Sequence, residues 1–207
     1  MTPHDFALIA NEAYTAVPDI GVADSASRAI LRHTSAGLVV AFPGSDNIPS
    51  WIADLDIATV NVPGVGDIHE GFWGAWKAIR VQVLAAIAGQ PVTLVGHSLG
   101  AALALMAAAD MTASGNPPAA VYGFEPPRVC AGESMANLLK AIPILLTKDG
   151  NDIVPDVPPE LDHARPLQDI GHAFLPIPNV TDHMLDRVIP ALAVSKVVAA
   201  PAVAVAA

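Results

Sequence analysis

Val92-Thr93-Leu94-Val95-Gly96-His97-Ser98-Leu99-Gly100, continued by Ala101-Ala102-Leu103-Ala104-Leu105-Met106, is the stretch on which the fold turns. Its first four residues are an apolar run with two valines, preceded by Gln90-Pro91 and ended by glycine, which reads as a strand buried on both faces. The Ala/Leu/Met run from Gly100 to Met111 combines high helix propensity with almost no polarity and reads as a buried helix. Between them lies Gly96-His97-Ser98-Leu99-Gly100, a G-x-S-x-G pattern. On a strand-to-helix turn, the flanking glycines leave room for the backbone to fold sharply and present the serine hydroxyl at the sheet edge. The helix that follows aims its first amides at the same place, where they can stabilise a developing negative charge. As a bare pattern G-x-S-x-G is common, and the bland alternative is a serine that merely caps the helix. The strand before it and the helix after it weigh against that alternative.

Outward from this stretch, strand-like and helix-like segments alternate with no repeat and no long linker. That is the pattern of an α/β fold with a mostly parallel central sheet flanked by helices. A helix is expected over 6–14, a buried strand over 37–42, and a helix over 72–88 ended by Gly89. Further strands are expected over 119–124 and 142–147, the latter ending in the turn-forming set Lys148-Asp149-Gly150-Asn151-Asp152. A last helix is expected from 182 to about 200 despite Pro190. The Ala/Pro/Val-rich end, about 200–207, reads as a loosely ordered tail of low complexity. The chain is expected to form one domain over 1–207.

Composition narrows what such a domain can do. Ten Lys and Arg against 20 Asp and Glu give a formal charge of −10. Without a Lys/Arg cluster the chain cannot neutralise a phosphate backbone, so nucleic acid is excluded as a partner and anionic membrane surfaces are disfavoured. Only 14% of residues are charged and 53% are hydrophobic, against roughly 25% charged in a typical domain. The surface must therefore be covered largely by Ala, Pro and Gly. The single Cys130 cannot close an intrachain disulfide. No stretch reads as a transmembrane segment: 99–109 is too short, and 188–207 is interrupted by Pro190, Lys196 and Pro201. The first residues, MTPHDFALIANEAY, lack a basic start followed by an apolar run, so the default expectation is a cytoplasmic protein.

A serine hydroxyl is a weak nucleophile and requires a base, together with an acid that orients the base, in the chain order Ser, Asp/Glu, His. Asp152 lies in a loop at the carboxyl end of the predicted strand over 142–147, where open α/β sheets build their sites. Asp149 is its close rival. Of the seven histidines, only His163, His172 and His183 follow these acids. His183 sits where a loop enters the last helix, a position from which a ring can reach the serine. His97 adjoins Ser98 but is directed elsewhere by the turn, and a packed, hydrogen-bonded role is the better expectation for it, as for His4, His33 and His69.

Several motifs in order resemble the class 3 lipases, a family with the α/β-hydrolase fold that includes filamentous-fungal triacylglycerol lipases. Phe42-Pro43-Gly44-Ser45 followed by Trp51-Ile52-Ala53-Asp54-Leu55 resembles the family's oxyanion loop and adjoining lid. His69-Glu70-Gly71-Phe72 resembles the opening of its next helix, and Val95 to Gly100 its nucleophile elbow. Tyr122 to Val129 is similar to the strand and loop written FGxPRVG. Asn151-Asp152-Ile153-Val154-Pro155 with Pro158-Pro159 resembles the acid loop, and Asp182-His183 the base. The resemblance runs from about 38 to 188. It implies Ser98 as nucleophile, Asp152 as acid and His183 as base, with an oxyanion hole from the backbone N–H groups of Ser45 and Leu99. It also places His163 outside proton transfer and leaves His172 as the residual competitor. Pro43 stands where the family usually has arginine, and Ala101 where it commonly has a second glycine.

Ile48, Trp51, Ile52 and Leu55 follow i, i+3, i+4, i+7 spacing, which puts four large apolar side chains on one helical face. By periodicity alone this is a core-packed helix. Its place directly after the oxyanion loop makes it the expected lid, about 46–57, covering an acyl pocket. The expected function is hydrolysis of neutral carboxylic esters such as acylglycerols through an acyl-serine. The rivals are a phospholipase of the A1 type, a feruloyl-type esterase, or a catalytically silent module that binds lipid or protein. No H-E-x-x-H, Cys-rich set or phosphate-cradling loop calls for a metal or organic cofactor. The expected partner is an ester or lipid substrate, met in part at a lipid–water interface.

Overall fold

The computed structural model describes residues 1–197. Helix α1 (Pro3–Thr15) starts on a capping box in which the Thr2 hydroxyl accepts from Asp5 N–H and the Asp5 carboxylate accepts from Thr2 N–H at 2.7 Å, with Pro3 in the first turn. Strands β1 (Ile20–Gly21), β2 (Arg28–Thr34) and β3 (Gly37–Phe42) follow, then a short helix α2 (Ile48–Ala53) and strands β4 (Thr59–Val62) and β5 (Gly66–His69). Helix α3 (Glu70–Ile87), strand β6 (Val92–His97) and helix α4 (Leu99–Ala113) form the middle of the chain. Strands β7 (Ala120–Phe124) and β8 (Cys130–Ala131), helix α5 (Ser134–Leu138), strands β9 (Ile144–Asp149) and β10 (Leu167–Ile170), and helix α6 (Leu185–Val194) complete it.

Seven strands form one sheet in the order β1-β2-β3-β6-β7-β9-β10. The β1–β2 and β2–β3 pairs are antiparallel, and every pairing from β3 to β10 is parallel. The chain thus has the α/β-hydrolase type of architecture, a mostly parallel sheet with helices on both faces. Alternation along the strands explains why their sequences are apolar without a break. Leu38, Val40 and Phe42 of β3 join a core with α3 and α4 residues such as Trp76, Ile79, Leu103 and Met106. Val39 and Ala41 point to the opposite face, where they pack with Phe6 and Ala10 of α1 and Val188 and Leu192 of α6.

Helix α4 is buried from Leu99 through Met111, so it has no polar face. Its one buried charge, Asp110, accepts hydrogen bonds from the Trp76 indole at 3.1 Å and from Arg80 Nε at 2.6 Å, which ties α4 to α3. Helix α3 ends at Ala88 and Gly89, both with positive φ (48° and 73°), a left-handed stop that glycine adopts without penalty.

Four features differ from expectation. Strand β2 is not legible because Arg28, Arg32 and His33 interrupt its apolar pattern; it lies toward the antiparallel end of the sheet, where its outer half is only partly covered. A separate antiparallel sheet of β4, β5 and β8 is built from strands too short to leave a period. The lid-like segment is helical only over Ile48–Ala53, so Ile48, Trp51 and Ile52 are on the helix and Leu55 is past its end. Helix α6 ends at Val194 rather than near 200, and the expected tail at about 200–207 lies outside the described residues.

Replacing Asp110 with alanine leaves the buried Trp76 N–H without its acceptor. The variant is expected to lose about 1–3 kcal/mol of stability, read in thermal unfolding by circular dichroism as roughly 2–4 °C of Tm per kcal/mol.

Candidate active site

Four elements converge on Ser98. It has φ 58° and ψ −129°, a strained conformation for a non-glycine residue, at the junction of β6 and α4. The sharpness of this turn rests on its glycines: a Cβ at Gly96 would lie 2.1 Å from the Gly100 carbonyl oxygen, and one at Gly100 would lie 2.0 Å from the Phe42 carbonyl oxygen. Ser98 N–H donates to the Phe124 carbonyl at 2.9 Å, fixing the turn to the end of β7. The loop after β3 runs just as close, since a Cβ at Gly44 would lie 2.9 Å from Ser98 Cβ. Ala101 is accommodated because its methyl faces Gly123, where any further Cβ would be only 3.3 Å away.

Asp152 and His183 are both fully buried and meet through His183 Nδ1 and Asp152 Oδ2 at 2.7 Å. Asp152 Oδ1 also accepts from Val154 N–H at 2.9 Å, so its charge is held by two donors. The contact puts the proton on His183 Nδ1 and leaves Nε2 as the basic nitrogen. Neither Nε2 nor Ser98 Oγ has a hydrogen-bond partner among the described residues, although both are buried. Both atoms are therefore free to bond a substrate.

Asp149, the rival acid, faces Arg187 and not the His183 ring. His163 is pinned through Nε2 to the Pro155 carbonyl at 2.8 Å, and His172 is exposed with its carbonyl bonded to Arg187. His69 caps α3 by accepting from Phe72 N–H and bonds the Asp56 carbonyl.

Sequence reasoning did not find the network behind these groups. His97 Nε2 bonds the His183 carbonyl at 2.8 Å, and a carbonyl only accepts, so Nε2 carries the proton. Nδ1 therefore accepts from the Tyr14 hydroxyl at 2.6 Å. Burial holds the Tyr14 phenol well above its ordinary range and His97 well below its own, so both stay neutral. The Tyr14 oxygen in turn accepts from Gly44 N–H. One chain of hydrogen bonds therefore links the Gly44-Ser45 loop, α1, the elbow and the backbone of His183. Only an i-to-i+83 contact carries it, which no local pattern reveals.

Asp182 sets the other side of His183. Burial raises its pKa, but N–H groups of Asn151 and Phe174, the Asn179 amide and Arg187 outweigh burial and hold it below the usual carboxylate range. Ser45, Ile48, Tyr14, His97, His183 and Met184 line a cavity of about 370 Å³ beside this site. Trp51 stacks on Phe72 with ring centroids 6.2 Å apart, so α2 lies against the core at the edge of the site.

The profile of the class 3 lipases matches residues 39–161. The chain belongs to the class 3 lipase family. It is 36% identical over 121 residues to the secreted mono- and diacylglycerol lipase A of Penicillium cyclopium, covering 54% of this chain and 39% of that protein. It is 30% identical over 190 residues to phospholipase A1-II 3 of Oryza sativa, covering 70% of this chain and 43% of that protein. The chain therefore spans about two-fifths of the length of the curated relatives it matches. The fold is shared with the Rhizomucor miehei triacylglyceride lipase at a TM-score of 0.68 and 23% identity, over 87% of this chain and 90% of that one.

These findings correct the expected compartment. Relatives from Penicillium and Fusarium are named secreted lipases, which contradicts the cytoplasmic expectation. The cytoplasmic expectation rested on the composition of the first residues alone, and a sequence start says nothing about compartment in a class 3 lipase aligned to part of its relatives. No helix among the described residues is long and apolar enough to cross a membrane.

Burial, reinforced by Asp182 and Asp152 and opposed by Arg187, raises Asp149 from 3.8 to about 6, and neither of its oxygens has a hydrogen-bond partner among the described residues. A raised carboxyl favours folding while protonated. That contribution is complete below 3.8 and is lost as pH rises through about 6. Asp149→Asn is therefore expected to be more stable than the parent above pH 6, with the two Tm values converging on acidification.

Proposed function

We propose that this chain is a serine carboxylic-ester hydrolase acting on acylglycerols, with residues 1–207 as one hydrolase domain. The observation that carries it is the buried His183–Asp152 contact of 2.7 Å beside a serine on a strained elbow. In this reading His183 Nε2 takes the proton from Ser98 Oγ as the oxygen attacks the ester carbonyl. The backbone N–H groups of Ser45 and Leu99 receive the oxyanion, Leu99 offering one of the unpaired amides of the first turn of α4. His183 then protonates the leaving alcohol, and water, activated by the same ring, releases the carboxylic acid. Asp152 stabilises the imidazolium throughout and holds its tautomer. The Tyr14–His97 relay fixes the positions of the oxyanion loop and of the base.

The relatives named for mono- and diacylglycerols support the acylglycerol class, and their secreted naming supports action outside the cell. Phospholipase A1 activity is the second reading, favoured by the longer match to the rice enzyme. The partner is then an ester at a lipid–water interface. The charge of −10 suits neutral or zwitterionic lipid better than anionic lipid. Ile48, Trp51, Ile52 and the following Leu55 are proposed as its cover, with Ile48 facing the cavity and Trp51 lying on Phe72.

A fluorophosphonate is expected to label the folded protein covalently and to fail with Ser98→Ala. His183→Ala is expected to lower hydrolysis of p-nitrophenyl esters by about 10³-fold or more, whereas His172→Ala retains it. A folded parent that does not label contradicts the proposal, and parallel assays on a monoacylglycerol, a triacylglycerol emulsion and a phosphatidylcholine vesicle decide between the two substrate classes.

If α2 is a cover, activity on a short-chain ester rises abruptly above the substrate's solubility limit, and Trp51→Ala flattens that rise. Smooth saturation through the limit, unchanged in the variant, assigns α2 to the core.

A further inference from the structure

Glu125 has three features that each cost free energy. It is fully buried. Its φ of +52° lies in the left-handed region that side chains avoid and glycine fills, and glycine stands at this place in the pattern FGxPRVG. Its carboxyl also lies in side-chain hydrogen-bond contact with Asp152, itself fully buried. Residue 125 directly follows Phe124, whose carbonyl holds the Ser98 amide, so the carboxyl lies behind the elbow and not in the cavity lined by Ser45 and His183.

Two buried carboxyl groups in contact cannot both be ionised, and the surroundings decide which one holds the proton. Asp152 has two donors aimed at it, His183 Nδ1–H and Val154 N–H. Glu125 Oε2 accepts from Asp149 N–H at 2.9 Å, and Oε1 lies 3.2 Å from the Thr147 hydroxyl, which can donate or accept. The charged groups facing Glu125 are Asp152 and Asp149, both acidic. Arg187 is engaged by Asp182 at 3.1 Å and Asp149 at 3.8 Å.

We propose that Glu125 is a protonated carboxylic acid that donates its hydrogen bond to the Asp152 carboxylate, making it a positioning residue for the base His183. This rests on the ester-hydrolase reading of the site. Burial first, and the Asp152 charge second, push the Glu125 carboxyl well above its ordinary range, in keeping with a neutral acid. The donated bond supplies a third fixed partner to Asp152. It also draws off part of the negative charge that an imidazolium at His183 would feel. In this respect the acid of the site is a proton-sharing pair, with His183 at one end and Glu125 at the other.

The test has a spectroscopic arm and a kinetic arm. At about pH 8, where Asp149 with its value of about 6 is ionised, infrared difference spectra of the full chain are expected to show the carbonyl stretch of a protonated carboxylic acid. That band is expected to vanish in Glu125→Gln. In kinetics with a soluble p-nitrophenyl ester, Glu125→Gln, whose amide still donates, is expected to keep kcat and the acidic limb of the kcat/KM profile. Glu125→Gly, which suits the backbone and relieves its strain, removes the donor. It is expected to lose about 10- to 100-fold in kcat, the effect of one charge-assisted hydrogen bond, and to move the acidic limb to higher pH. Absence of the band in the parent, its survival in Glu125→Gln, or a Glu125→Gly variant matching the parent in kcat and limb overturns the proposal. Should Glu125→Gly fail to fold, the band and Glu125→Gln decide. Should the parent not react with a fluorophosphonate, the hydrolase reading falls while the band still reports on the proton.

Discussion

The backbone contact between the elbow and the loop after β3 is the constraint from which the rest of the site follows. Gly100 lies so close to Phe42 that a single methyl would overlap its carbonyl. Gly44 is held against Ser98, His97 and Tyr14 in the same way. Such approaches hold the 44–45 loop against the elbow and the start of α4. They also force Ser98 into positive φ. The strain is sustained because β6 is paired on both sides in the sheet and α4 is buried along nearly its whole length, so the ends of the turn cannot relax.

Around that point the protein concentrates buried polar groups and arranges partners for them. The Tyr14–His97 relay uses neutral donors and acceptors, so it couples four segments without burying charge. The carboxylates are handled differently one by one. Asp182 is held ionised by N–H donors and Arg187, Asp152 is matched to His183, burial pushes Asp149 up to about 6, and Glu125 is pushed toward its neutral form. Four carboxyl groups within one small region are tolerable only because their environments drive their protonation apart.

Much of the site was legible because family motifs encode local geometry. G-x-S-x-G requires glycine where backbones touch, and Asn151-Asp152 follows a strand whose apolar run is plain. The alternation of strands and helices was equally visible, since both faces of the parallel strands are covered and their sequences are therefore unbroken apolar runs. Elements with mixed surroundings were not legible. Strand β2 carries Arg32 and His33 because its second half is incompletely covered, its buried Arg28 is satisfied by the Ala23 and Ser25 carbonyls, and β4, β5 and β8 are too short to show a period. Helix α2 matched its periodicity only over six residues, because the chain turns away before Leu55 completes the face.

Choices among similar residues were beyond local pattern and rested on the family resemblance alone. Asp149 and Asp152 are three apart in one loop, and only the path of that loop puts one carboxylate on His183 and the other toward Arg187. His163, His172 and His183 are equally eligible by order, and packing alone fixes which ring is buried beside the elbow. The partnership of Tyr14 with His97, and of Glu125 with Asp152, joins residues 83 and 27 positions apart. The sequence by itself determined the class of fold and the place of the tight turn that carries Ser98, because periodicity and steric exclusion act over a few neighbouring residues. Only the tertiary structure decided which ionisable groups face one another, because protonation depends on burial and on distances that form when remote segments pack.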